Sequence, residues 1–348
     1  MKRLFCVICV WILAAAPASN RAVGGRFSKT VWGLFDTFVT LTGYCESQAA
    51  FDETADGLTA LLRTYDRLLD GYTEYPDTHN VWYLNRHAAQ SPVRVDAQLF
   101  DLIDWCLNQT SAYPQKVNIA MGAALSIWHD CRETANADAE AASLPDAEAL
   151  QRAAAHIDPA CVRLDREKQT VFFSDPALRL DLGAVAKGYV ANRARDYLAE
   201  KMPSFLLSLG GNVIAGDAPR DGRGSWRVAV QRPDDEASAL DVLSVSHTAV
   251  VTSGDYQRYF TVDGVRYAHI IDPDTLYPPA FAQAVTVICA DALTADYLST
   301  TLFLLPVEEG LALVNALPGV EALWVLPDGD VRMTPGCAAA ARSQEGAL

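Results

Sequence analysis

The feature that most limits what this chain can fold into is a succession of short strand-like segments with no helical pattern between them. Residues 205–209 (FLLSL), 226–231 (WRVAVQ), 241–246, 249–252, 256–262, 266–271 and 285–290 are rich in β-branched and aromatic residues, with turn-forming residues between them. A parallel sheet needs a crossover of about a dozen residues or more, usually a helix, between successive strands. No helical pattern intervenes before residue 292, so these strands must pair mainly with antiparallel neighbours. Asp263-Gly264 offers a two-residue hairpin turn and Gly210-Gly211-Asn212 a second turn. The sequence therefore predicts an α+β fold, mostly antiparallel sheets flanked by helices, and disfavours a doubly wound sheet.

Elsewhere the period changes. Residues 30–44 (TVWGLFDTFVTLTGY) read as a first strand, and Leu58, Leu61, Leu62, Tyr65 and Leu69 predict a helix over 51–69. Further helices are expected at 81–85, 97–113 and 122–128, after Pro145, from the 183–188 stretch to about 202, and at 292–305 and 307–317. Residues 162–182 read as two strands around a turn, and a strand pair is expected around Pro327-Asp328-Gly329. No composition shift marks a linker. The expected organisation is a polar leader at 19–29, a single domain over 30–335 and a C-terminal tail at 336–348.

Residues 1–18 have the pattern of a signal peptide: Lys2 and Arg3, an apolar run to Ala16, and Ala16-Pro17-Ala18 as a cleavage site. The apolar run is about a dozen residues, short of the ~20 that span a bilayer. Export to the bacterial periplasm is the expectation. Cys6 and Cys9 lie in that run, where a lipoprotein could carry its acyl group. The small residue that normally precedes such a cysteine is missing, so lipid anchoring to the inner membrane stays open. Net charge is −15, and loss of Lys2 and Arg3 makes it −17. That acidity argues against nucleic acid and anionic membrane surfaces as partners. An anionic ligand would need a local cluster of donors or a metal ion. The remaining cysteines, Cys45, Cys106, Cys131, Cys161, Cys289 and Cys337, are widely scattered and show no C-x-x-C. Their scatter and lack of C-x-x-C argue against a zinc site, and most are expected as buried single thiols.

Four stretches carry candidate chemistry. In LDLGAVAKGY (180–189) a lysine, Lys187, stands in the first turn of a helix, where it opposes the dipole and calls for an anion nearby. In ADALTADYLSTTLFLL (290–305), Asp296 and Thr300 lie one turn apart on a helix, hard oxygen ligands suited to Mg²⁺. The plain alternative is that Thr300 bonds its own helix backbone and Asp296 is solvated. In HIIDPDT (269–275), His269 is a candidate base beside Asp272; the alternative is a turn capped by Asp272 with His269 in the sheet. LGGN (209–212) lets backbone approach a ligand or another strand. G-x-x-x-x-G-K-[ST], G-x-G-x-x-G and G-x-S-x-G are all absent, which removes the main support for a P-loop, a dinucleotide-binding oxidoreductase and an α/β-hydrolase.

Taken in order, LDLGAVAKGY, SLGGN, SGDYQRYF…YAHIIDP and ADYLST resemble the ApbE-like family of FAD:protein FMN transferases, with weaker similarity in FDTFVTL (35–41) and NIAMGAALSIW (118–128). The resemblance implies a backbone carbonyl of Ala184 and the side chains of Asp296 and Thr300 as Mg²⁺ ligands. It implies Asp181 and Lys187 on FAD, with Lys187 near the pyrophosphate. Ala120, Met121 and Gly122 would border the flavin or adenine, and Asp272 would contact the nucleotide. Phe35 stands in the place of the family's M-G-T, Tyr72 would be the flavin-side aromatic, and His269 the base for the acceptor hydroxyl. The family's T-G after D-P-x is here Thr275-Leu276.

The activity so implied is Mg²⁺-dependent transfer of FMN from FAD to a threonine or serine of an acceptor protein, with AMP released and subunits of membrane redox pumps as acceptors. The same site with water as acceptor would be an FAD pyrophosphatase giving FMN and AMP. The non-enzymatic alternative is a periplasmic FAD-binding protein.

Overall fold

A computed structural model describes residues 24–109, 112–235 and 238–342. The signal-like segment, with Cys6 and Cys9, lies outside the described residues. The chain forms two compact units: one of the residues up to Arg63 with Lys187–Gly254 and the chain from Phe281, the other of Thr64–Ala186 and Asp255–Ala280. The span expected as a single domain, 30–335, contributes to both units. The crossings fall inside or beside regular elements, as within the helix Gln48–Leu69 and at the start of Ala186–Lys201. That is why no linker composition announces them.

The first unit is built on an eight-stranded sheet in which every neighbouring pair is antiparallel. In spatial order its strands are Gly25–Leu34, Thr37–Cys45, Phe205–Leu209, Asn212–Ala215, Thr248–Gly254, Ala284–Cys289, Val320–Val325 and Val331–Met333. The expected single strand over 30–44 is instead a hairpin. Phe35 and Asp36 both take φ of 52° and close a tight turn, and the register shifts between Trp32 and Leu34. Two residues in the left-handed region make the turn type whose twist matches paired strands, but its usual Asn-Gly signature is absent here. The strand starts at Gly25, so residues 25–29 belong to the sheet rather than to a leader. At the other end, Pro335–Ala340 is a helix with Cys337 fully buried, so the expected tail is at least partly core.

The helix Ala292–Phe303 packs on the sheet against Thr248–Gly254 and Ala284–Cys289, and every residue in it but Thr294 is buried. A helix buried on nearly every face lies inside the protein, and its buried polar side chains, Asp296, Ser299, Thr300 and Thr301, need hydrogen-bond partners there. Its start is fixed twice. Asp291 accepts a hydrogen bond from the Thr294 N–H (2.8 Å) as N-cap. Asn192, from Ala186–Lys201, donates to Asp291 (2.7 Å) and accepts from the Ala292 N–H (3.0 Å).

The second unit carries the small sheet of Val93–Arg94, Thr170–Phe173 and Val162–Asp165, the hairpin Tyr259–Val262/Val265–Ala268, and the helices Val81–His87, Ala97–Asn108, Gly122–Ala137 and Ala147–Ala154. Its core includes Met121, Trp128, Leu150, Phe260, Ile271 and Leu276. The second strand expected within 162–182 ends at Phe173. Residues 178–182 run without a sheet partner beyond one bridge, Met121 to Arg179. The Asn85 amide clamps that segment instead, accepting from the Leu180 N–H (2.7 Å) and donating to its carbonyl (2.9 Å).

All six cysteines among the described residues are free thiols, four of them buried, as expected. No helix among the described residues is long and apolar enough to cross a membrane.

Candidate functional site

In the first unit, the expected ligand helix presents Asp296 and Thr300 inward, both buried. Asp296 is not solvated. Its Oδ2 accepts the Gly188 N–H at 2.7 Å. Burial pushes its carboxyl above the usual carboxylate range, while the Lys187 ammonium, Asn212 and the Gly188 N–H favour the charged form. Thr300 does not turn back on its helix. Its Oγ1 lies 3.3 Å from Ser253 Oγ, which sits 2.8 Å from Ser299 Oγ. Lys187 points its Nζ toward the Gly210 carbonyl (3.5 Å) at the Gly210-Gly211 turn, where φ is 55° and 100°. The anion that a lysine at a helix start calls for is thus supplied in part by the protein's own Asp296.

Sequence reasoning passed over Gly188 and Asn192, and it picked out the stretches holding Asn212 and Ser253 without assigning either side chain a role. The signal for Gly188 was a glycine inside a helix, which costs about 1 kcal/mol against alanine and so needs a packing reason. A Cβ there would stand 2.5 Å from Asp296 Cβ and 2.9 Å from Leu293 Cα, and closer still to the Ala292 carbonyl oxygen. Only glycine lets the two helices meet closely enough for its N–H to reach the carboxylate. Phe35 lies in the hairpin turn two residues before Thr37, whose side chain fills the space beside Gly210.

The second unit brings together Tyr72, Asp181, Ala120, Met121 and Gly122. The Gly122 N–H donates to the Arg179 carbonyl (2.9 Å), and a Cβ at Gly122 would stand 2.8 Å from that oxygen. The Asp181 N–H donates to the Ile119 carbonyl (2.8 Å). Its carboxylate closes a turn by accepting the Gly183 N–H (2.7 Å). Tyr72 stacks on His129 with ring centroids 4.8 Å apart, and more than half of it is exposed. Local burial and the Asp181 charge raise its hydroxyl pKa. Ala184, the expected carbonyl ligand, is also in this unit, two residues after Leu182, whose carbonyl accepts the Val185 and Ala186 N–H groups.

Asp272, the expected nucleotide contact, has partners within the protein. It is buried, and Lys116 Nζ donates to both its oxygens (3.0 and 3.1 Å) and to Asp274 (2.6 Å). Asp272 Oδ1 also accepts the Asp274 N–H (3.0 Å), so its carboxylate caps the turn. Lys116 was missed because a single lysine in QKVN carries no motif. His269 follows directly on the strand Val265–Ala268. Its backbone N–H donates to the Arg258 carbonyl (3.0 Å), and its Nδ1 lies 3.1 Å from the same oxygen. A carbonyl can only accept, so Nδ1 carries the proton and Nε2 holds the lone pair.

Among the described residues no group of three or more His, Cys, Asp or Glu side chains could hold a metal ion. What the first unit offers is one carboxylate with hydroxyls one turn away. That hard, oxygen-only set suits Mg²⁺, which keeps several waters and takes phosphate oxygens, and is poor for zinc. The buried amide of Asn212, with neither polar atom hydrogen-bonded among the described residues, is a second sign that a polar guest fits there.

Residues 35–324 match the model of the ApbE family. The chain is 34% identical over 274 residues to a protein of Klebsiella pneumoniae named FAD:protein FMN transferase, covering 78% of this chain and 81% of that one. It is 36% identical over 269 residues to one of the same name from Treponema pallidum, covering 73% and 72%. The crystal structure of the ApbE protein from Thermotoga maritima superposes with a TM-score of 0.80 at 27% identity, over 91% of this chain and all of that one.

Proposed function

Because the chain belongs to the ApbE family, we propose that it is an FAD:protein FMN transferase, moving FMN from FAD to a threonine or serine hydroxyl of an acceptor protein and releasing AMP. The observation that carries this reading is the buried Asp296 carboxylate, held by the Gly188 N–H with Thr300 one turn on. Such a carboxylate is costly unless a cation or hydrogen bonds compensate it. Asp296 and Thr300 would hold Mg²⁺, which when bound neutralises charge developing on a pyrophosphate and orients its oxygens.

The chain's own residues then have defined tasks. Gly188 holds Asp296 in place through its N–H, and Lys187 favours the charged form of that carboxylate. Tyr72, backed by His129, offers an aromatic face for a flat ring, and Met121-Gly122 gives a close backbone wall beside it. His269 takes the proton of the acceptor hydroxyl at Nε2 while the Arg258 carbonyl fixes its tautomer. The hydroxyl oxygen forms a bond to the FMN phosphorus, the bond from that phosphorus to the AMP oxygen breaks, and AMP leaves. The signal-like first eighteen residues support an exported protein, acting on acceptors such as redox subunits outside the cytoplasm.

The test is to incubate the protein with FAD, Mg²⁺ and a candidate acceptor, following AMP by chromatography and covalent flavin by fluorescence in a denaturing gel. Labelled acceptor together with AMP is the expected result. AMP without labelling would make the protein a pyrophosphatase, and neither product would leave a flavin-binding protein.

A further inference from the structure

The first unit holds a side chain that its packing does not explain. Asn212 opens the strand Asn212–Ala215, is 1% exposed, and has both amide atoms, Nδ2 and Oδ1, without a hydrogen-bond partner among the described residues. A buried amide in that state has given up its hydrogen bonds to water without replacing them, which is unfavourable. An apolar residue of the same size would fill the place at no such cost.

Strand register shows where the amide points. Asn212 pairs with Val251, and side chains two apart on a strand share a face, so Asn212 and Ser253 are diagonal neighbours on one face of the sheet. That is the face on which the helix Ala292–Phe303 lies, because Ser253 Oγ meets Ser299 and Thr300 there. Asn212 approaches Asp296 closely enough to favour its charged form, yet closes no hydrogen bond of regular geometry with it. Lys187 is the charged group that favours ionisation of this carboxylate, and the hydroxyls of Ser253, Ser299 and Thr300 lie on the same face of the sheet. A polar cluster of Asn212, Ser253, Asp296 and Thr300 therefore sits inside an apolar layer with hydrogen-bonding capacity left over.

We propose that Asn212 is a positioning residue of a divalent-cation site at Asp296, its amide reserved for the carboxylate and for the water carried by the bound cation. The inference rests on the reading of Asp296 as a cation ligand. Partners of this kind around a metal site typically change its affinity by 10–100-fold when removed. A structural role makes the opposite prediction, because then the amide contributes to the fold and nothing to the cation.

The experiment titrates Mn²⁺ alone into the full chain, reading free Mn²⁺ by electron paramagnetic resonance and stability by thermal unfolding without metal. Four proteins are compared: wild type, Asp296→Asn, Asn212→Leu and Asn212→Ala. Wild type is expected to bind one Mn²⁺ that Asp296→Asn loses. Asn212→Leu should unfold without metal at or above the wild-type temperature while binding Mn²⁺ at least 10-fold more weakly, and Asn212→Ala should show the same weakening. Wild-type Mn²⁺ affinity in both Asn212 variants would overturn the proposal. So would a marked drop in metal-free stability in Asn212→Leu, which would make the amide structural. If wild type and Asp296→Asn bind Mn²⁺ alike, the reading of Asp296 as ligand fails first, and the inference falls with it.

Discussion

Replacing Gly188 by alanine tests the closest approach in the first unit. On an isolated helix the change should help, since alanine is favoured over glycine by about 1 kcal/mol in a helix interior. Here the added methyl carbon would stand 2.5 Å from Asp296 Cβ, 2.9 Å from Leu293 Cα and closer still to the Ala292 carbonyl oxygen. None of these can swing away, because two are backbone atoms and the third is a Cβ. Restoring van der Waals contact means moving the helix Ala292–Phe303 by about 1 Å, and overpacking of this kind typically costs 1–3 kcal/mol. Asn192 resists the shift, because its two hydrogen bonds to Asp291 and Ala292 tie the same pair of helices together. The steric loss should outweigh the propensity gain, giving a net destabilisation of up to about 2 kcal/mol in urea unfolding. The same displacement lengthens the 2.7 Å bond from the Gly188 N–H to Asp296. A misplacement of about 1 Å can lower a rate 100-fold, so cation-dependent AMP release should fall by about that factor. Gly188→Ala with wild-type stability and undiminished AMP release would refute the claim that this glycine exists to let the helices touch.

Three other changes bear on separate parts of the structure. Lys116→Met leaves the Asp272 carboxylate buried without its cation and should cost roughly 2–3 kcal/mol, a little below the figure for a fully buried pair; adding Asp272→Asn should recover part of it, and additive losses in the double variant would mean the two residues do not interact. Tyr44→Phe removes a 2.7 Å hydrogen bond to Asp221, a carboxyl that Arg223 first and Tyr44 next hold below the ordinary range. A depressed carboxyl contributes stability above its unfolded pKa and loses it as pH falls through the folded one, so the variant should be about 1 kcal/mol weaker at pH 7, with the gap closing in strong acid; a gap that widens on acidification would contradict this. Gln169, held at φ of 53°, should gain about 0.5–1 kcal/mol on replacement by glycine, measured as a higher midpoint in urea, and a lower midpoint would show that its side chain contributes more than its backbone strain costs.

The layout of strands was readable because their pattern is local. Residues 205–209 and 226–231 are strands with those bounds, and Asp263-Gly264 does turn a hairpin, with φ of 50° and 78°. The helix 292–303 was readable from its spacing, and its N-cap Asp291 stands where a helix start requires one. What escaped was structure that local pattern does not encode. The Phe35-Asp36 turn places an aromatic residue in the left-handed region, and no composition rule assigns it there. Leu276 is similar. It stands where the family pattern resembled in the sequence has glycine, and keeps a φ of 64° while buried, its carbonyl accepting the Trp128 Nε1–H (3.0 Å). Burial of the leucine among Trp128, Ile271 and Phe260 offsets a strain of about 1–2 kcal/mol.

The same contrast separates the parts of the candidate site. Asp296 and Thr300 could be named from sequence because they sit four apart on one helix, and the helix itself brings them together. Gly188, Asn212 and Ser253 come from elements far apart in sequence, and only the packing of a helix on a sheet makes them neighbours. Asp272 shows the converse: the resemblance implied a nucleotide contact, and Lys116, brought in from 156 positions away, bonds its carboxylate. A carboxylate in a motif is therefore informative about ligands only after its own protein partners have been found. By that criterion Asp296 has more capacity left for a ligand than Asp272. Asp296 has one N–H on a single oxygen in an apolar layer beside an unpartnered amide, whereas Asp272 is matched on both oxygens by a lysine and on one by a backbone N–H.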